Sequence, residues 1–327
     1  MLRRHLLALT LASATAAALP VAALAQAGPY PDRQVRLIVG FPAGTGPDVV
    51  ARTVGQKLGE LLRQPVVVDN RAGAGGQIGA QAVAKAAPDG HTLLLGEVGS
   101  ISIAPASYTK LSYDPARELV AVSELVRSDF ILVVPPDSPY RSVKELVAGA
   151  RAKGERVNFG TFGAGTPGHF GAEVFAAEAG LKIEPVHYRA TGDAITALVA
   201  GDVQAAFVTT ALAAPQIKGG KLRALATTGA ARSALLPEVA TMAEAGFPKV
   251  DFSAWFALMA PAGTPTATLD ALGQAAVATL QAPEVRRVLQ EAGFTLAGTG
   301  RADSERMVRS EATRWAGVVK ATGFKAD

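Results

Sequence analysis

The chain has 327 residues, 49% of them hydrophobic and 18% charged, which is long enough for two domains of ordinary size. Its formal net charge is only +4 and it contains no run of Lys or Arg, so nucleic acid is not expected as a partner. The sequence has no Cys, which excludes disulfides, a thiolate nucleophile, a Cys-ligated metal and a lipid-modified N-terminal Cys.

The N-terminal segment, residues 1–25, has the pattern of an export signal. Two arginines precede an apolar run at residues 6–19, and a small-residue motif, Ala-Leu-Ala, ends at Ala25. The run is interrupted by Ser13 and ends at Pro20, so it is too short and too mixed for a stable membrane span. Cleavage after Ala25 would remove both arginines, lower the net charge from +4 to +2 and leave an exported protein.

Strands and helices alternate in the first part of the mature chain. Strands are predicted at Val35–Val39, Pro65–Asp69, His91–Leu95, Leu119–Val126 and Phe130–Val134. The helix after the first strand has apolar residues at helical spacing, at Val50, Val54, Leu58 and Leu61. A glycine-rich turn at residues 70–76 opens a second helix that ends near Ala87. This βαβαβ order predicts a parallel sheet covered by helices.

The second part of the chain repeats the alternation. Its strands are predicted at Val157–Thr161, Ile183–Tyr188, Val203–Val208 and Leu222–Thr227. A strand near Phe252–Met259 is expected to return to the first lobe, and the chain ends in helices at Thr266–Leu280, Pro283–Ala292 and Ala302–Ala321. We therefore predict an α/β protein whose first lobe comprises residues 26–127 and 251–327 and whose second lobe comprises residues 128–250.

Two stretches repeat one pattern, a strand, a glycine-rich loop and a helix that begins near a proline. They are Leu37–Arg52 (LIVGFPAGTGPDVVAR) and Val157–Phe175 (VNFGTFGAGTPGHFGAEVF). Glycine-rich loops expose consecutive backbone N–H groups, and the first amides of a helix lack internal partners at the positive end of its dipole. Thr45 or Gly46 and Thr166 are the expected N-caps. Each stretch is predicted to bind a carboxylate or phosphate, one in each lobe.

Other chemistry at these loops has weaker support. Gly163, Gly165 and Gly168 spell G-x-G-x-x-G, but the acidic residue that a dinucleotide site needs at the end of the next strand is missing. Neither G-x-S-x-G nor H-E-x-x-H occurs, although a scattered Ser-His-Asp triad and a histidine metal site stay open. We expect a binding protein without cofactor, metal or catalytic residues.

Candidate ligand-binding residues lie on these loops and at strand ends, where open α/β sheets bind ligands. Asp48 is more simply a structural cap, and it would favour an ammonium group if it faced the ligand. His169 either donates a hydrogen bond to the ligand or packs, and Arg189 is the best candidate for pairing with a carboxylate. The full set is Phe41, Ala43, Gly44, Thr45, Asp48, Glu97, Ser100, Thr161, Phe162, Gly165, Thr166, His169, Arg189, Val208 and Thr209.

Several motifs occur in order along the chain: VGFPAG at 39–44, NRAGAGG at 70–76, PDGHTL at 88–93, YDP at 113–115, GGKLRAL at 219–225, EAGFP at 244–248 and WFALMAPAGTP at 255–265. In these motifs the chain resembles the substrate-binding proteins of tripartite tricarboxylate transporters, the Bug family of periplasmic receptors. The resemblance implies a type II-like, two-lobed periplasmic binding protein fold with a ligand cleft between the lobes. It further implies a monomer that closes on a small carboxylate through Phe41–Asp48 and Thr161–His169 and docks on membrane permease subunits.

The chain departs from the family pattern where the cleft is expected. Ala104 stands where relatives have Asn, Arg189 follows Tyr188 where they have Lys, and Val208 and Thr209 stand where they have Asp and Asn. Loss of a carboxylate at Val208 removes a partner for a ligand amine or hydroxyl. We hypothesise a mono- or dicarboxylate without an amino group, whose body lies against Phe41, Phe162 and Val208. The alternatives are a ligand-sensing partner of a membrane signalling protein and a periplasmic enzyme acting on a carboxylate.

Overall fold

The computed structural model describes residues 30–188 and 191–326. The predicted export signal and its cleavage site at Ala25 lie outside the described residues, as does Arg189. No helix within the described ranges is both long enough and apolar enough to cross a membrane.

The strands and helices follow the predicted alternation closely. The strands are β1 (Val35–Val39), β2 (Val66–Asn70), β3 (Thr92–Glu97), β4 (Leu119–Val134), β5 (Val157–Thr161), β6 (Ile183–His187), β7 (Ala205–Thr209), β8 (Arg223–Thr227), β9 (Ser253–Pro261) and β10 (Thr295–Leu296). The helices are α1 (Gly46–Leu62), α2 (Gln77–Ala84), α3 (Ala104–Ser107), α4 (Pro115–Glu118), α5 (Val143–Lys153), α6 (Pro167–Ala179), α7 (Thr191–Ala200), α8 (Thr210–Lys218), α9 (Thr266–Gln281), α10 (Pro283–Glu291) and α11 (Arg301–Thr322).

The first group of strands has the order β2-β1-β3-β9-β4. Strand β1 is parallel to β2 and β3, and Val39 lies opposite both Asn70 and Leu95 in the two ladders. The carboxyl ends of these three strands therefore meet at one edge of the sheet. At that edge lie the loop before α1, the turn at residues 71–76 and Glu97, the last residue of β3.

The second group of strands comprises β4, β7, β5 and β6 in that order, with β8 on the other side of β4. Strand β5 is parallel to both β6 and β7. Because β5 leads into α6 at this carboxyl edge, the second glycine-rich stretch has the same topological position as the first.

Strand β4 belongs to both groups, so the prediction of two separate strands in this region is wrong. It is continuous over 16 residues, pairing with β9 up to Asp129 and with β7 from Phe130. The polar residues at 127–129 suggested a break in the sequence, but their backbones continue the ladder to β9. Two register shifts between β4 and β9 mark bulges, which bend and twist a strand without ending it.

The aromatic residues of the core connect the elements. Phe207 of β7 contacts Phe252 with ring centroids 5.2 Å apart, and Phe252 in turn contacts Trp315 of α11 at 6.2 Å. Trp315 and Val319 are buried, as the helical apolar pattern of α11 predicts. In α1 the apolar pattern is wrong for Leu61, which is 44% exposed in the last turn of the helix, whereas Val50, Val54 and Leu58 are buried.

Candidate functional site

The loop at residues 40–45, hereafter the first loop, connects β1 to α1. Gly44 has φ of +79°, a left-handed conformation that glycine adopts without strain. Its N–H donates to Oδ2 of Asp48 at 2.9 Å, and the hydroxyl of Thr45 donates to the Pro42 carbonyl at 2.6 Å. Thr45 is the N-cap of α1 by position, but its hydroxyl holds the loop instead of accepting from a helix amide.

Asp48 is the centre of a hydrogen-bond network within the first lobe. Its Oδ2 also accepts from Nε of Arg52 at 2.9 Å, and its Oδ1 accepts from Nδ2 of Asn70 at 3.0 Å. Burial of the Asp48 carboxyl raises its pKa, but the hydrogen bonds from Arg52, Gly44 and Asn70 outweigh burial and hold the pKa below its usual range. The carboxylate is therefore an internal acceptor, bonded to the loop amide of Gly44 and to the side chains of Arg52 and Asn70.

Close backbone packing explains two glycines beside the first loop. A Cβ on Gly40 would lie 2.6 Å from Cα of Gly76, too close for any side chain. A Cβ on Gly76 would lie 3.3 Å from Oε1 of Glu97, at the end of β3. These glycines serve packing of the three strand ends against one another.

Glu97 caps the π-helical turn at residues 99–103. Its carboxylate accepts from the amides of Gly99 at 2.7 Å and Ser100 at 2.6 Å. Burial raises the pKa of Glu97, and the two amides oppose that shift. Both carboxyl oxygens are thus used locally, and Ser100 is buried beside them.

The loop at residues 162–166, hereafter the second loop, connects β5 to α6. Gly165 has φ of +75°, and its N–H donates to Nδ1 of His169 at 3.1 Å. The hydroxyl of Thr166 donates to the Gly163 carbonyl at 2.9 Å and accepts from the amide of His169 at 3.4 Å.

The two loops have the same local structure. Both contain the sequence F-x-A-G-T, and the N-cap dihedrals are −86° and 167° at Thr45 and −88° and 162° at Thr166. In each loop the threonine hydroxyl donates to the carbonyl three residues before it, and the glycine amide donates to the side chain four residues after it. The prolines differ slightly, because Pro167 is the first residue of its helix and Pro47 is the second.

His169 lies in the first turn of α6, directly after the second loop, and its pKa is strongly shifted. Its side chain is buried, and its pKa is lowered from 6.5 to about 4. Burial is the larger cause, and the charge of a protonated His187 is the smaller one. The two imidazole rings are 4.7 Å apart and nearly perpendicular. Nδ1 of His187 shares a hydrogen bond of 2.7 Å with the hydroxyl of Thr161 at the end of β5.

The short segment between α10 and β10 is distant in sequence but lies close to the predicted site residues. A Cβ on Gly46, at the start of α1, would lie 3.3 Å from Cζ of Phe294, and one on Gly293 would lie 2.9 Å from Cα of Ala211, near the start of α8. Thr209 is the N-cap of α8. Residues 293 and 294 therefore lie between the first loop and the Thr209 region.

The segment after α11 approaches the second loop. The ring of Phe324 is 5.0 Å from that of His169 and 5.6 Å from that of Phe170. Two residues later, the amide of Ala326 donates to the carbonyl of Ser107 at 2.8 Å. This segment thus joins the second loop to α3 of the first lobe.

The remaining predicted residues differ in exposure. Ala43 and Gly44 are exposed, whereas Phe41, Phe162 and Thr209 are half-buried. Val208 is 1% exposed and packs in a core cluster of the second lobe, so it offers a ligand no open surface in this conformation.

Sequence reasoning did not assign the residues that support the loops: Arg52, Asn70, His187, Phe294 and Phe324. Only Arg52 has a local signal, because it is four residues after Asp48 on one helix, the spacing of an ion pair.

The chain is similar to known proteins over almost its whole length. Residues 50–324 match the model of the tripartite tricarboxylate transporter family receptor. The chain is 36% identical over 306 residues to protein BugT of Bordetella pertussis strain Tohama I, a match that covers 93% of this chain and 94% of BugT.

Two solved structures from Rhodopseudomonas palustris share its fold. A protein in complex with adipate is 33% identical, with a TM-score of 0.83 and coverage of 90% of this chain and 99% of that one. MatC with bound malate is 30% identical, with a TM-score of 0.78 and coverage of 89% and 100%. These similarities confirm the predicted two-lobed α/β fold.

Proposed function

Because the chain belongs to the tripartite tricarboxylate transporter receptor family, we propose that it captures a small carboxylate in the periplasm and delivers it to the membrane subunits of such a transporter. The observation that carries this proposal is the pair of matched loops, one at the carboxyl edge of each group of strands. Structural neighbours in complex with adipate and malate support the choice of a carboxylate.

The chemistry of the loops suits an anion. Each loop ends at the N-terminus of a helix of 13 residues or more, where the first amides lack helical partners and the dipole is positive. Backbone N–H groups at such an end bind carboxylates. A dicarboxylate that bonds to both loops favours the closed arrangement of the lobes through its greater affinity for that arrangement.

We infer that the ligand lacks an amino group. The carboxylates among the described candidate residues, Asp48 and Glu97, are occupied by internal donors, and Val208 is apolar. An ammonium group would find no free carboxylate among these residues, and burying it unpaired would be costly.

A thermal-shift panel tests the proposal, with adipate, malate, succinate and benzoate compared with aspartate and glutamate. An acid at 100 times its dissociation constant stabilises the folded state by about 2.7 kcal/mol. For a protein of this size, that corresponds to a rise in melting temperature of roughly 4 °C. Shifts with plain acids and none with amino acids are expected, whereas equal shifts would contradict the absence of an amino group.

Delivery and the absence of turnover need separate measurements. Incubation of the purified protein with the best acid should leave the NMR spectrum of that acid unchanged, and any product would favour a periplasmic enzyme. Uptake of the labelled acid should fall in cells lacking this chain. Retained uptake, together with a lost transcriptional response to the acid, would favour sensing over transport.

A further inference from the structure

The two loops differ in the chemical group that accepts the glycine amide. In the first loop the acceptor is the anionic carboxylate of Asp48, and in the second it is the imidazole of His169. Both acceptor atoms are two bonds beyond Cβ, so either side chain can close the same local ring, which spans five residues from the glycine to the acceptor. The difference between the loops is therefore one of charge.

The negative charge in the first loop is neutralised where it lies. Nε of Arg52 is 2.9 Å from Oδ2 of Asp48, and Asn70 donates to the other oxygen. A ligand anion at the first loop therefore meets an ion pair and not an isolated negative charge.

The second loop has no equivalent cation in the part of the chain that the structure describes. The ring of His169 contacts the rings of Phe170, His187 and Phe324. A carboxylate in place of this imidazole would be a buried negative charge beside two phenylalanine rings and the imidazole of His187, close to the helix amides proposed to bind the ligand. Such a charge would repel an anion there.

The hydrogen bond from Gly165 also fixes the protonation of His169. Nδ1 accepts from an N–H group, so it carries no proton, and the neutral ring must carry its proton on Nε2. Burial among aromatic rings favours that uncharged form.

We propose that His169 is the positioning residue of the second loop and preserves the preference of that loop for anions. Its neutral Nδ1 holds the Gly165 amide, which keeps the loop in the form of the first loop without adding a negative charge beside the ligand. This inference rests on the proposed function in one respect, that the second loop binds an anion.

Three variants separate hydrogen bonding from charge. His169→Asn keeps a neutral acceptor, His169→Asp keeps the acceptor and adds a negative charge, and His169→Leu removes the acceptor. Affinities are measured at pH 8 by calorimetry with adipate, malate, succinate and benzoate. For the acid that binds wild type best, the Asn variant should bind within about threefold of wild type, and the Asp variant at least about tenfold more weakly.

The melting temperatures of the unliganded Asn and Asp variants provide the folding control. Equal affinities of the Asn and Asp variants would overturn the role of charge. Wild-type affinity of the Leu variant would overturn the role of the acceptor.

NMR tests the proposal without any ligand. Long-range nitrogen–proton spectra of the wild-type protein should show the His169 proton on Nε2 from pH 6 to 8, with the Asn variant identifying its signals. The Gly165 amide should be protected from hydrogen exchange in wild type and His169→Asn and lose that protection in His169→Leu. A proton on Nδ1 would overturn the proposal. If no acid in the panel binds wild type, the proposed function fails, and these spectra still decide the inference.

Discussion

Gly44 and Gly165 have the same left-handed conformation, and each donates its amide to the side chain four residues after it. Their φ angles are +79° and +75°. The two lobes therefore build their loops from one local solution, a left-handed glycine, a threonine cap and an acceptor on the first turn of the helix. Because the arrangement fixes which loop amides are free, the proposed carboxylate ligand would bind at those amides.

Replacing either glycine by alanine should strain the loop without a steric clash. No atom lies within 4 Å of a Cβ at Gly44, and the nearest to one at Gly165 is Cε1 of Phe324 at 3.9 Å. The left-handed conformation costs a residue with a Cβ about 1 to 2 kcal/mol. We expect Gly44→Ala and Gly165→Ala each to lower the free energy of unfolding by that amount and to weaken carboxylate binding, as measured by urea denaturation and calorimetry.

Gly317 provides the matched control for these two glycines. It lies within α11, has no neighbouring atom within 4 Å of its Cβ position and does not have a positive φ. Gly317→Ala should leave binding unchanged and raise stability by up to about 1 kcal/mol, because alanine favours helix. Equal losses at all three positions would contradict the role assigned to the loop conformation.

Removing the Asp48 carboxylate should release the first loop. In Asp48→Ala the backbone amide of Gly44 loses its acceptor, and the side-chain amide of Asn70 keeps only its bond to the Phe41 carbonyl. An unmade internal hydrogen bond costs about 1 to 3 kcal/mol. Arg52→Ala, which leaves those two bonds intact and removes an exposed partner, should have a smaller effect. Urea denaturation at pH 7 compares the two variants.

The pH dependence of the Asp48 variant provides a second check. The pKa of Asp48 is lower in the folded protein than its ordinary 3.8, so its ionised form stabilises the fold above that pH. The stability difference between wild type and Asp48→Ala should therefore shrink as the pH falls below 3.8. A difference that stayed constant would indicate that packing, and not ionisation, is responsible.

The parallel strands β1, β2 and β3 were predicted well, because each has a short apolar run flanked by Gly or Pro. The prediction failed at β4, where the polar residues 127–129 look like a break. Pairing with β9, a strand more than a hundred residues later, keeps these residues extended. Strand β10 has two residues and no periodicity to detect.

The candidate site was predictable only to the extent that it is local. The repeated glycine-rich pattern predicted two similar loops, and the hydrogen bonds of Gly44 and Gly165 show that similarity. The role of Asn70 depends on the register between β1 and β2, and that of Phe324 on the path of the chain after α11. Neither is visible in a local pattern, and Arg189 stays a prediction because it lies outside the described residues.

Phe324 should control both stability and the environment of His169. Its ring covers the imidazole at 5.0 Å, so Phe324→Ala should expose the ring and raise the pKa of His169 toward its ordinary 6.5. The free energy of unfolding should fall by about 1 to 3 kcal/mol, less than for a fully buried phenylalanine. NMR titration gives the pKa, and Phe324→Leu, which keeps apolar cover, should largely restore both values. An unchanged pKa in the alanine variant would rule out a covering role.

His169 should make the protein less stable as the pH falls from about 6.5 to about 4. Its pKa is about 4 in the folded protein and 6.5 when exposed, so in this window the unfolded chain binds a proton that the folded chain does not. The contribution of neutral His169 to the free energy of unfolding is fully present above pH 6.5 and is lost as the pH falls toward 4. At about 1.4 kcal/mol for each pKa unit, the loss is up to about 3 kcal/mol. Urea denaturation of wild type at pH 4.5 and pH 7 measures the loss, and His169→Asn, which does not titrate, should reduce it.

Burial also lowers the pKa of His187, so His187→Asn is the matched comparison, and a larger reduction in that variant would assign the pH dependence to His187.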